Sequence, residues 1–149
     1  MMYTLVVYYS LTGYTRALAE RIALERHADL VEIQEVRHRS VIGAFVFGAF
    51  LAMRSRPSKI VPLAQDFGSY DRIILASPVW ASSAVPAAVA FIQKHIPAGK
   101  EVEVILCSGG GESGQARERL GKMIEQAGST LAAFQDVKAV PREHDARKP

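Results

Sequence analysis

Residues 3–9, Tyr-Thr-Leu-Val-Val-Tyr-Tyr, constrain the fold more than any other stretch of this chain. β-Branched and aromatic side chains fill nearly every position, with no polar alternation. A strand of this kind must be covered on both faces. Such strands belong to parallel sheets that carry helices above and below. The rest of the chain repeats the theme. Residues 71–77 and 101–107 are again continuously apolar and predict a third and a fourth strand. Residues 30–36 alternate, which predicts a second strand at an edge or half exposed. Residues 130–140 predict a fifth, weaker strand.

Helical patterns fill the gaps between these runs. Ala17, Leu18, Ile22 and Ala23 recur at helical spacing within residues 15–26. Residues 41–54 form a second helix candidate, with Gly43 and Gly48 inside it and Pro57 and Pro62 in the loop beyond. Residues 86–95 begin with Pro86, where a first turn tolerates proline. Residues 112–127 form a fourth helix, and Gly128 is placed to end it as the C′ residue. Strands alternating with helices across short connections predict an α/β fold: a three-layer, doubly wound, five-stranded parallel sheet. Residues 1–140 are expected to form one domain. Residues 141–149 lack an apolar anchor and are expected to be a mobile tail.

Composition narrows the function classes. With 49% hydrophobic and 22% charged residues, the chain reads as globular. Cys107 is the only cysteine, so no intramolecular disulfide can form, which suits a reducing cytoplasm. No secretory leader is visible at the start. The formal charge of +3 is modest, and its densest cluster, Arg37, His38 and Arg39 followed by Arg54, Arg56 and Lys59, reads as a solvated face. No aromatic-interleaved basic motif points to nucleic acid. The longest apolar stretch, residues 41–53, is shorter than the roughly 20 residues needed for a membrane span.

Ligands of doubly wound sheets bind beyond the carboxyl ends of the strands, where the strand order reverses. Three loops leave those ends. The first, Ser10-Leu11-Thr12-Gly13-Tyr14-Thr15, packs three hydroxyls and a glycine between a buried strand and a helix start. It reads either as a simple N-cap or as a phosphate site, in which helix N–H groups and hydroxyls converge on an anion. The second, Ser77-Pro78-Val79-Trp80-Ala81-Ser82-Ser83, holds the only tryptophan. Trp80 either packs on a planar ligand, or closes the sheet core or an interface. The third, Cys107-Ser108-Gly109-Gly110-Gly111-Glu112, has three consecutive glycines, which suit a flexible turn or a close backbone approach to a ligand.

The run S-x-T-G-x-T directly after the first strand resembles the FMN phosphate loop of flavodoxins, and S-P-V-W-A resembles the second flavin loop of small flavodoxin-like proteins. The resemblance spans residues 3 to about 140. It implies the strand order 2-1-3-4-5 and a short-chain domain that binds flavin mononucleotide (FMN) for electron transfer. It implies phosphate donors at Ser10, Thr12, Gly13, Tyr14 and Thr15, with Leu11 contributing backbone. Pro78, Val79, Trp80 and Ala81 would line the flavin ring. Ser108, Gly109, Gly110 and Gly111 would cover its pyrimidine side. A redox partner protein or a small-molecule acceptor is the implied partner, and an FMN-dependent NAD(P)H:quinone or small-molecule reductase is the alternative. Flavodoxins are acidic, and this chain departs from them in its net charge of +3.

No other chemistry is expected. His27, His38, His95 and His144 are dispersed, and the Walker, G-x-G-x-x-G and G-x-S-x-G patterns are absent. Cys107 reads as a small core residue. Ser10 and Ser77 stand where a signalling receiver domain of the same strand order needs acids. Residues 41–53 are apolar around the whole helix circumference, which leads to an expected homodimer contact or to burial under residues 55–68.

Overall fold

The computed structural model describes residues 3–36, 58–80, 83–109 and 113–138. The expected helix at 41–54, the self-association surface within it and the tail at 141–149 lie outside the described residues. The elements in order are β1 (Thr4–Tyr8), α1 (Tyr14–Arg26), β2 (Asp29–Glu32), a 3-10 turn (Phe67–Ser69), β3 (Arg72–Trp80), β4 (Ser83–Ala84), α2 (Pro86–His95), β5 (Glu101–Ser108), α3 (Ala116–Gln126) and β6 (Thr130–Lys138). Five strands are parallel in the order β2-β1-β3-β5-β6, and short β4 pairs antiparallel with β3. Counting only the parallel strands, the order is 2-1-3-4-5, as expected.

The period of two along each central strand sorts side chains into two cores. Leu5, Val7, Ile73, Leu75, Val102, Val104 and Leu106 face α2 and α3, where they meet Phe91, Ile92, Leu120 and Ile124. Val6, Tyr8, Ile74, Ala76 and Ile105 face α1 and meet Ala19, Ile22 and Ala23. Burial on both faces is what the unbroken apolar run demanded. Each fully buried aliphatic side chain contributes roughly 1.5–3 kcal/mol to folding. The carboxylate of Glu103 interrupts the apolar pattern on the α1 face. It is buried, and an ion pair with Arg26 at 3.1 Å and a longer contact with Arg72 at 3.8 Å compensate its charge.

Several boundaries differ from expectation, each for a tertiary reason. The second strand stops at Glu32 instead of reaching residue 36, because a distant segment supplies the next partners: Glu35 bridges Ile60, and Val61 N donates to Gln34 O at 2.7 Å. The third strand runs through Trp80 and turns back into β4, so residues 78–80 are strand, not loop. The fourth helix starts at Ala116, four residues later than expected. Gly128 does end it, at φ 85, with its N–H on Glu125 O and the following N–H of Ser129 on Ile124 O.

Candidate functional site

The strand register places the three candidate loops along one edge of the sheet. Pairing of β1 with β3 ends at Tyr8 opposite Ala76, and Tyr9 N donates to Ala76 O at 3.1 Å. The strand β3 continues past this level, with Ser77 opposite Leu106 and Pro78 opposite Cys107. Its end and β4 therefore form a hairpin that stands beyond the loop after β1, and the end of β5 flanks it on the other side.

The start of α1 does not have the geometry of a simple side-chain N-cap. A simple N-cap would place a Ser or Thr at the cap with its oxygen on an N–H of the first turn. The cap residue is instead Gly13, in the left-handed region at φ 99, and the helix start has no side-chain cap. Ser10 Oγ turns inward and accepts from Gly13 N at 3.0 Å, which tightens the loop into a curl. Thr12 is exposed at the tip, and Leu11, Gly13 and Tyr14 are half buried. Thr15 is buried, and its hydroxyl bonds the thiol of Cys107. The curl thus presents the positive end of the helix to the carboxyl edge.

Pro78 and Val79 are half buried in the hairpin wall, and Trp80 pairs its backbone with Ser83. Ser77 is fully buried, and its hydroxyl donates to the carbonyl of Pro78 at 2.9 Å, bracing the strand where it leaves the sheet. Ser108 is half buried and Gly109 exposed at the end of β5. A Cβ added at Gly109 would meet open space, so packing does not require the glycine there. Ala81, Gly110 and Gly111 lie outside the described residues.

Two features escaped sequence reasoning. Glu32, at the carboxyl end of β2, accepts from Tyr8 Oη at 3.3 Å and pairs with Arg16 at 3.5 Å, which puts a charged cluster beside the first loop. Burial, reinforced by the Glu32 charge, raises the Tyr8 phenol above its ordinary range. The position of Glu32 at the end of the strand beside β1 was the available signal. The second is the bond between Thr15 and Cys107, which joins the first loop to β5. Burial raises the thiol above its ordinary range, and the Thr15 hydroxyl partly opposes that. Among the described residues, no group of His, Cys, Asp and Glu could hold a metal, and no helix is long and apolar enough to cross a membrane.

A doubly wound parallel sheet in this order, with its loops gathered at the carboxyl edge, defines the flavodoxin-like fold. The solved structures that share it include a flavoprotein in complex with FMN from Lactobacillus acidophilus NCFM. It is 19% identical, with a TM-score of 0.77 and coverage of 93% of this chain and 94% of that one. A protein assigned as a flavoprotein from Bacteroides uniformis ATCC 8492 is 22% identical, with a TM-score of 0.81 and coverage of 96% and 94%. A flavodoxin from Streptococcus pneumoniae TIGR4 is 15% identical, with a TM-score of 0.56 and coverage of 95% and 88%. At these identities the likeness is one of fold. No protein-family model and no curated protein matches the sequence.

Proposed function

We propose that residues 1–140 form one unit that binds FMN at the carboxyl edge of the sheet and serves in electron transfer. The observation that carries this reading is the start of α1, where Gly13 at φ 99 is the cap residue and no side chain caps the first turn. A helix N-terminus of this kind suits a phosphate. Ser10 uses its oxygen to accept from Gly13 N, which leaves its hydroxyl proton to donate to an anion. Thr12 adds an exposed hydroxyl, Leu11, Tyr14 and Thr15 would line the anion with backbone, and Gly13, whose N–H is held by Ser10, shapes the curl around it. Pro78, Val79, Trp80 and Ala81 would line the ring, and Ser108, Gly109, Gly110 and Gly111 its pyrimidine side. Bound FMN supplies the redox chemistry, and the chain supplies binding, orientation and electrostatics. The partner is a redox protein or a small-molecule acceptor, and the lone cysteine suits a cytoplasmic setting.

Titration with FMN and with riboflavin, which lacks the phosphate, tests the reading. FMN should bind at least about tenfold more tightly. Thr12→Ala should weaken FMN by roughly 1.5–3 kcal/mol, as loss of a hydrogen bond to a charged group does, and leave riboflavin unchanged. Equal affinities for the two flavins would refute the phosphate site. Trp80, the only tryptophan, should lose fluorescence on FMN binding.

The net charge of +3, opposite in sign to that of flavodoxins, implies either a protein partner of different charge or reduction of a small molecule. FMN-dependent oxidation of NAD(P)H with a quinone as acceptor distinguishes the two readings.

A further inference from the structure

The first loop and the strand that leads into the third are tied together beneath α1. Cys107 lies two residues beyond Ile105 on β5, so it shares the face on which Ile105 packs under that helix. The register sets it opposite Pro78 on one side and Val137 on the other. It is the last buried residue of β5, and Tyr14, Ala17 and Leu18 of α1 meet it across one cleft. Thr15, the second residue of the helix, is also buried, and its hydroxyl bonds the thiol.

The bond has a direction. It favours the thiolate, which burial disfavours, so the hydroxyl acts as donor to sulfur. The Thr15 proton is thus committed to Cys107, and what Thr15 turns toward the carboxyl edge is its backbone N–H. That N–H is among the first four of the helix, which no helical carbonyl reaches. No side chain caps this turn. Helix ends fray unless held, and donors already in place bind an anion better than donors that must first be ordered. An alanine or valine would fill the place of Cys107 in a core, but neither holds a hydroxyl. Without a partner at 107, the buried Thr15 hydroxyl must turn elsewhere.

We infer that Cys107 is a positioning residue for the phosphate seat: through Thr15 it pins the first turn of α1 to the end of β5 and holds the N–H groups of that turn in place. The inference rests on the reading that FMN binds there by its phosphate. Cys107 acts through Thr15 and needs no contact with the anion.

The test uses the full chain, titrated by fluorescence with FMN and with riboflavin. C107A should weaken FMN by about threefold to tenfold, the effect of one lost hydrogen bond, and leave riboflavin affinity within about twofold. C107S keeps an acceptor for Thr15 and should retain most of the FMN affinity. T15V should weaken FMN as C107A does, and T15V/C107A should weaken it no further, because the two side chains act as one unit. A second measurement needs no flavin. The pH at which Cys107 becomes reactive toward iodoacetamide, followed by mass spectrometry, should move up in T15V. Tyr14 and Arg21 of α1 and Lys138 at the end of β6, the titratable and charged groups around the thiol, are kept in every variant. Thermal melting checks that each variant is folded, and the reactivity of T15V decides the matter should C107A not fold. Equal losses for both flavins in C107A, C107S no better than C107A, additive losses in T15V/C107A or an unmoved reactivity in T15V would each overturn the inference. A parent chain that binds the two flavins equally would overturn the phosphate reading and this inference with it. An FMN preference that C107A leaves intact would overturn this inference alone.

Discussion

Replacing Gly128 by alanine should destabilise the fold by about 2–5 kcal/mol without touching flavin binding, and the structure separates two causes. The first is conformational. Gly128 sits at φ 85, a left-handed backbone that costs an L-residue roughly 1–2 kcal/mol. The second is steric. A Cβ built at Gly128 would lie 2.8 Å from Ala98 Cβ, well inside the contact distance of about 3.5–4.0 Å. Ala98 has little freedom to retreat. The turn that carries it is tied down by Gly99 N on Gly128 O at 2.9 Å, Ser129 Oγ on Pro97 O at 2.8 Å and Lys100 N on Ser129 Oγ at 3.0 Å. Forcing extra volume into such a place costs roughly 1–3 kcal/mol. A domain of this kind has about 5–15 kcal/mol in all. With a urea slope of about 2 kcal/mol/M, the midpoint should fall by about 1–2.5 M. Ala98→Gly removes the atom that clashes but not the strain at φ 85. Measured against Ala98→Gly alone, Gly128→Ala should therefore cost only about 1–2 kcal/mol. A Gly128→Ala variant within about 0.5 kcal/mol of the parent would refute the argument, as would a cost undiminished in the Ala98→Gly background. The turn lies at the amino edge of the sheet, opposite the candidate site, so FMN affinity should stay constant.

Gly13→Ala places the same kind of strain inside the candidate site, at φ 99, and should weaken FMN by about tenfold or more in a fluorescence titration; unchanged affinity would detach the curl from the cofactor. The helix α1 ends on His27 at φ 50, where glycine is free of strain, so His27→Gly should raise stability by about 1 kcal/mol in urea denaturation. His95 packs against Phe91 and Phe67, and burial, followed by the charge of Lys94, lowers its pKa. The unfolded chain therefore takes up this proton first, and stability should decline as pH falls through the ordinary imidazole range near about 6.5. His95→Phe should lose that part of the pH dependence, read as the difference in urea midpoints between the two proteins across that range.

The local chemistry of the chain determined a good deal by itself. The unbroken run of residues 3–9 required a strand covered on both faces, and Leu5 to Tyr8 are buried in two separate cores. Helical spacing located α1, and Pro86 marked the start of α2. Gly128 was readable as a helix terminator, because a left-handed C′ residue is a local property. The loop after β1 was readable as well, since it follows from the alternation of strands and helices. Only the tertiary structure decided which groups meet across long separations. Thr15 and Cys107 are 92 positions apart and are joined because parallel pairing brings the end of β5 beside the start of α1. The strand β3 outruns its sequence signal because Val79 and Trp80 find backbone partners in Ala84 and Ser83, whereas a proline inside the run reads locally as a break. The second strand stops early because residues 60 and 61 take over its backbone partners. Whether Ser10 caps the helix or curls the loop depends on the handedness of Gly13, which glycine leaves open and the packed loop settles.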